Sequence, residues 1–247
     1  DFNKRLHQVI KGEKLIPSNY HEASVFSFIE QIESQYNRNE YANVFDSLQL
    51  ILEAQTESLK QDEQNEMTRE EILQLSFFKG GSSVLADSYL VKGKLTEEEK
   101  QFSFSYGTFL QLLDDLQDTS EDRQDGHKTL FSIMKENDLL DDEVKSLISY
   151  IFIVNEPSDQ DTESMQLMKD VIRSCTLIMV METVGRIPQL ISKKLYHELE
   201  SYSKVRLPFY GELESLMKNL MIDFDFNKAI NEILPEKKQS LSKGLFF

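Results

Sequence analysis

Phe102–Phe131, FSFSYGTFLQLLDDLQDTSEDRQDGHKTLF, is the stretch whose reading decides the fold. Wound as a helix at about 100° per residue, it puts Phe109, Leu112, Leu113 and Leu116 on one face. That face is the predicted core. Opposite lie Gln111, Asp114, Asp118 and Asp122, with Asp115 at the margin. The three aspartates recur at i, i+4 and i+8, so one helix would stack their carboxylates on consecutive turns. A solvated acidic face is the plain reading. Two features weigh against it. Asp is a poorer helix former than Glu, and like charges at i, i+4 cost roughly 0.2–0.5 kcal/mol per pair unless something neutralises them. Upstream, the same face carries Phe104, Gly107 and Thr108. It is acidic at one end and apolar or small at the other. Such a gradient suits a ligand with an apolar tail and an anionic head. Carboxylates repel a phosphate, so a cation must stand between. Mg²⁺ does this with one or two carboxylates plus substrate oxygens.

Positive groups should also approach such a head group. Lys128 follows the acidic stretch directly, in DGHKT (125–129), and Lys79 lies in FFKGGSS (77–83), within an otherwise apolar helix. Lys79 also reads as a lysine snorkelling from a helix edge. The adjacent Gly80 and Gly81 cost roughly 1 kcal/mol each relative to Ala in a helix. Their expected use is close approach of backbone or ligand, or a local break beside Lys79.

The rest of the chain agrees with a helical protein. Its 247 residues contain 9 Gly and 5 Pro, and no run alternates with period two. Periodicity predicts helices over about 22–36, 41–61, 69–92, 97–122, 128–137, 141–155, 161–200 and 206–222. Pro188 should kink or split the longest, while Pro17, Pro157, Pro208 and Pro235 fall near boundaries. Thr68–Glu71 and Thr96–Glu99 read as capping boxes. Gln61–Met67 and Asn155–Glu163 read as polar loops. The expected fold is all-α, a single large bundle spanning 1–247. With 43 acidic against 27 basic residues and a net charge of −16, a nucleic-acid face and a polybasic membrane anchor are disfavoured. No apolar run is long enough to span a bilayer and no signal-peptide pattern is present, so a cytoplasmic protein is expected. The single cysteine, Cys175, excludes an intrachain disulfide and reads as inert core. His7, His21, His127 and His197 are too scattered for a zinc motif.

Taken together, these blocks resemble the class I isoprenoid synthases, the helical family of trans-prenyl diphosphate synthases and terpene cyclases. Ala54-Gln55 resembles the Gly-Gln of the prenyl synthases, and Lys79-Gly80-Gly81 their Lys-Thr-Gly. Phe109–Asp118 resembles their second aspartate-rich block, and Gly126–Leu130 the Gly-Lys-Lys-Thr-Leu that follows it. Asp118–Arg123, DTSEDR, is similar to stretches in squalene and phytoene synthases and in bacterial large-terpene cyclases. The resemblance implies a helical bundle with a central cavity and a Mg²⁺ cofactor held by Asp114, Asp118 and Asp122, with Asp115 assisting. It implies a prenyl diphosphate substrate held by Lys79, Gln111, Lys128, Gln55 and Arg123. Phe104, Tyr106, Phe77 and Phe78 are candidates to face a carbocation, against ordinary core packing. A homodimer is implied as well. One departure is plain: the family's first aspartate-rich motif precedes the Gly-Gln block, and residues 1–54 hold no DDxxD. The resemblance then implies that the motif lies before Asp1, or that the chain is a non-catalytic partner subunit or a helical interaction protein. Cyclisation and chain elongation both remain open.

Overall fold

In a computed structural model, which describes residues 1–62, 66–135, 138–159 and 161–221, the chain is built from helices, and the described residues contain no strand. In order they are α1 (Phe2–Ile10), α2 (Tyr20–Gln35), α3 (Ala42–Ser58), α4 (Arg69–Lys92), α5 (Glu97–Gln117), α6 (Thr119–Asp125), α7 (Asp141–Val154), α8 (Glu163–Arg186), α9 (Lys193–Tyr202) and α10 (Pro208–Met221). Short 3-10 turns follow α3, at Leu59–Asp62, and α8, at Pro188–Leu190. Pro235 and the tail from 222 onward lie outside the described residues. No described helix is long and apolar enough to cross a membrane.

Local chemistry starts and stops these helices. Both capping boxes form: Thr68 and Thr96 accept from the backbone N–H of Glu71 and Glu99, whose carboxylates accept from the threonine N–H in return. Each box satisfies two donors that a helix start otherwise leaves open. Asn19 caps α2 through its side chain, and Ser192 caps α9. Pro188 divides the long apolar run, as its missing N–H requires, and Pro208 occupies the first position of α10.

Three expectations fail, each for a local reason. The helix over 97–122 breaks at Asp118, where Thr119 Oγ1 donates back to the carbonyls of Asp115 and Leu116. Such back-bonding competes with helix geometry. The segment 128–137 is no helix in its described part. Thr129 and Ser132 exchange hydrogen bonds between side chain and backbone N–H, and Ser132 Oγ donates to the His127 carbonyl. Lys128 turns its backbone to Gln61 instead, with Lys128 N donating to Gln61 O at 3.0 Å and Gln61 Nε2 donating to Lys128 O at 2.7 Å. Conversely, α1 was not expected. Its Leu6, Val9 and Ile10 close over Phe26 and Ile29 of α2.

The main core gathers Phe109, Leu112, Leu113 and Leu116 of α5 with Leu140, Val144, Leu147 and Ile151 from the α7 region and Val180 and Val184 of α8. The predicted core face of α5 is therefore the buried one. Phe77, stacked on Tyr150 at 6.0 Å, and Tyr106, 5.1 Å from Phe109, belong to this packing. On α8, Thr176, Val180, Thr183 and Val184 take the buried face. Cys175 points away from it and is exposed, which corrects the expectation of a core cysteine.

Candidate functional site

The site is organised by the crossing of α4 and α5. Gly80 and Gly107 meet there so closely that a Cβ at Gly107 would sit 2.1 Å from the Gly80 carbonyl oxygen, and one at Gly80 2.3 Å from that of Gly107. Gly81 receives the face of the Phe104 ring. The paired glycines thus serve helix–helix approach, and α4 runs through them without a break. Phe104 is half-buried against α4.

Two turns along α5 from Gly107 lies Asp115. It is 5% exposed, not marginal on an acidic face. Ser76 Oγ donates to its Oδ2 and Gln111 Nε2 to its Oδ1, both at 2.8 Å. Burial pushes its carboxyl above the ordinary range, against these two hydrogen bonds and the positive charge of Lys79. Asp114 and Asp118 are exposed one turn apart, with Asp118 N donating to Asp114 O. Gln111 Nε2 also reaches Asp114 Oδ2, at 3.5 Å. Its amide is therefore committed chiefly to Asp115.

Past the break, Asp122 on α6 is half-buried and accepts from Thr129 Oγ1 at 3.2 Å. Its carboxyl is pushed from an ordinary 3.8 up to about 6, first by burial and then by the charges of Asp115 and Asp118, with His127 and Thr129 opposing. His127 in turn pairs through Nδ1 with Asp62. Because the folded carboxyl has the higher pKa, the folded protein binds more protons than the unfolded chain between about pH 4 and pH 6. Ionising Asp122 therefore lowers stability as pH rises through that window. Asp122→Asn is expected to flatten this slope and, in metal-free protein at pH 7, to stabilise by about 1 kcal/mol once solvent screening of a half-exposed group is allowed for. Melting curves from pH 4 to pH 8 check this; an unchanged slope contradicts it.

Beside the acids runs an open groove of about 330 Å³, lined by residues of α4, α5 and α8. Gln111, Asp114 and Gln117 lie toward one end of α5, while Gly107, Leu110, Val84 of α4 and Met179 of α8 supply small and apolar surface. The acidic end of α5 thus borders a hollow. Of the expected site residues Gln111 and Asp114 line the groove, while Lys79, Phe104, Asp115, Asp118, Asp122, Arg123, Lys128 and Gln55 are not part of its lining. Arg123 is half-buried on α6 and donates to the Phe131 carbonyl at 3.3 Å. Lys128 is half-buried in the loop fastened to Gln61. Gln55 is exposed on α3, with Ala54 buried beside it.

Sequence reasoning missed Ser76, Gln61, Thr129 and Met179. Ser76, Gly80 and Ser83 recur at i, i+4 and i+7, a small-residue stripe on α4 that marks the crossing. Gln61 and Thr129 act through a pairing distant in sequence and left no local sign.

Among the described residues, no group of three or more His, Cys, Asp or Glu is arranged to hold a metal ion. An all-protein cage is not what the site offers. Asp114 and Asp118 offer two exposed carboxylates one turn apart, and Mg²⁺ is commonly bound through one or two carboxylates plus substrate oxygens. In comparisons with known proteins, no family model matches this chain, and neither a curated protein nor a solved structure matches it.

Proposed function

We propose that the chain is a Mg²⁺-dependent isoprenoid synthase that ionises an allylic prenyl diphosphate in an apolar helical cleft and then cyclises or condenses the carbocation. The observation that carries this reading is the groove along α5, acidic at the Asp114 end and small or apolar toward Gly107. A soluble acidic surface has no use for that gradient, whereas an amphiphilic diphosphate matches both ends of it.

Asp114 and Asp118 would hold the cation, with Asp122 one turn further along. Mg²⁺ would supply neutralisation of the charge that builds on the departing diphosphate. Asp122 would stand half-buried beside that cation, which would offset the burial, and after it the charges of Asp115 and Asp118, that hold its carboxyl up. Lys79 adds positive charge from α4, and Lys128 from the loop after α6. Asp115 is a positioning residue: it ties Gln111 of α5 to Ser76 of α4. Phe104 lays one ring face on Gly81 of α4, and with Phe78 it would turn its remaining aromatic surface toward a cation. The apolar chain of the substrate would lie against Val84, Leu110 and Met179 of the groove. A homodimer in the cytoplasm belongs to the same reading.

A second reading is a non-catalytic partner subunit or helical interaction protein. It is favoured by the lack, among the described residues, of a group of three or more His, Cys, Asp or Glu that could hold a metal ion. One experiment separates the two. Pyrophosphate with Mg²⁺ at about 100 times its Kd contributes roughly 2.7 kcal/mol to stability. For a protein of this size that is a rise of roughly 5–10 °C in Tm, and it should vanish when Mg²⁺ is withheld. No shift at millimolar pyrophosphate and Mg²⁺ would leave the second reading.

A further inference from the structure

The exposed pair Asp114 and Asp118 is flanked by two acids that other elements hold. Ser76 of α4 donates to Asp115, and Thr129, in the loop after α6, donates to Asp122. Asp115 is buried, so its bond belongs to the packing of α4 on α5. Asp122 is half-buried on the short helix past the break. There the register of α5 no longer dictates where its carboxylate points.

The loop takes over that task, and it grips Asp122 at both ends. His127 N donates to the Asp122 carbonyl at 2.9 Å, and Thr129 Oγ1 donates to Oδ2 at 3.2 Å. A threonine hydroxyl has one proton to give and two lone pairs. Thr129 Oγ1 accepts from Ser132 N at 3.2 Å, and an ionised carboxylate only accepts, so the proton is committed to Oδ2. Thr129 is 1% exposed, which keeps solvent from competing for it. Ser132 Oγ accepts from Thr129 N at 2.8 Å and donates to the His127 carbonyl, closing the turn on itself. Behind the loop, Gln61 holds the Lys128 backbone and Asp62 pairs with His127. Among the described residues, Oδ1 of Asp122 accepts no hydrogen bond. One carboxylate oxygen is thus tied to the protein, and the other is not.

We infer that Thr129 is a positioning residue of the acidic end: it fixes the Asp122 carboxylate so that this third acid can join Asp114 and Asp118 on a cation. The inference rests on the reading of that end as a Mg²⁺-diphosphate site. A ligand whose rotamer is fixed beforehand loses little freedom when the cation arrives. Removing the outer partner of a metal ligand commonly costs about 10–100-fold in metal affinity. Thr129 is not part of the groove lining, so its effect should pass through Asp122 alone.

The test is a Mg²⁺ titration of the full chain at saturating pyrophosphate and constant ionic strength. Its readout is the Mg²⁺ concentration that gives half of each variant's own Tm rise. Thr129→Val keeps the side-chain shape without the hydroxyl and is expected to raise that concentration about tenfold. Thr129→Ser restores the donor and is expected to stay within about threefold of the unaltered chain. Asp122→Asn raises the concentration as well, and Thr129→Val should add nothing further in an Asp122→Asn background. Thr129→Val also takes the acceptor from Ser132 N, so its ligand-free Tm falls. Measuring each rise against the same variant without ligand keeps that loss apart. Should Thr129→Val not fold, Thr129→Cys, which keeps only a weak donor, carries the same expectation. The inference is overturned if the variant without the hydroxyl saturates at the same Mg²⁺ as the unaltered chain, or if Thr129→Ser is as weak as Thr129→Val. It is also overturned if the losses from Thr129→Val and Asp122→Asn multiply, which would mark a threonine that only braces the fold. If the unaltered chain shows no Tm rise with pyrophosphate and Mg²⁺, the diphosphate reading itself fails and this inference falls with it. A normal rise that Thr129→Val leaves untouched defeats the inference alone.

Discussion

Replacing Asp114 and Asp118 together by alanine is expected to lower turnover of an allylic diphosphate by about 10³-fold or more while leaving the fold intact. Removing one preorganised electrostatic group from a transition state commonly costs about 10²–10³ in kcat, and here two carboxylates that would share one cation go at once. The fold should survive because both side chains are exposed, and Asp118 makes no side-chain cap bond to α6. Surface changes of this kind usually stay within about 0.5 kcal/mol. Relief of their i, i+4 repulsion returns part of even that. The checking pair of measurements is product formation and the Tm rise with Mg²⁺ and pyrophosphate, both lost, against an unchanged Tm without ligand. Retained turnover in the double variant would remove the acidic end from the chemistry. Asp115→Ala is no substitute for this test. It strips the buried partner from Ser76 and Gln111, so lost activity there would report lost structure.

Gly107→Ala should be severely destabilising, although the same change in an ordinary helix stabilises by roughly 1 kcal/mol. The added Cβ would lie 2.1 Å from the Gly80 carbonyl oxygen and 2.8 Å from its carbon. These are backbone atoms of a continuous helix and cannot rotate aside. Helices α4 and α5 must separate, loosening the bond that Ser76 makes to Asp115 across the crossing. Overpacking typically costs about 1–3 kcal/mol, and here it adds to the strain on that buried carboxylate. We expect a net loss of about 3 kcal/mol and a fall of roughly 6–12 °C in Tm. Gly126→Ala is the control of opposite character: its Cβ meets open space, but its φ is +77°. Its cost is therefore conformational, about 1 kcal/mol. If Gly107→Ala melts no lower than Gly126→Ala, the crossing is not as tight as described.

Much of this arrangement was legible in the sequence because it is written in local patterns. The capping boxes at Thr68 and Thr96 depend on residues three apart, and the core face of α5 on residues within a few turns. Both appear as read. The acidic row was legible in composition but not in detail. Which of two adjacent aspartates is buried depends on a serine 39 residues away on another helix, and no periodicity carries that. The break at Asp118 and the loss of helix after Lys128 share a cause. Short hydroxyl side chains at Thr119, Thr129 and Ser132 outbid the helix for backbone groups, a choice that apolar spacing does not register. Gly80 and Gly81 were open to three readings: close approach of a ligand, close approach of backbone, or a local break beside Lys79. The partner that decides between them, Gly107, lies on a different element.

The two-way pairing of Gln61 with the backbone of Lys128 has a consequence for how this region comes apart. Residues 61 and 128 flank the α4–α5 hairpin, so their bonds close a knot at its neck. Fraying from either flank is stopped there. The hairpin, the buried aspartate between its legs and the loop behind α6 then open as one cooperative block rather than piecemeal. A molecule gripping the acidic end would be holding the drawstring of that block.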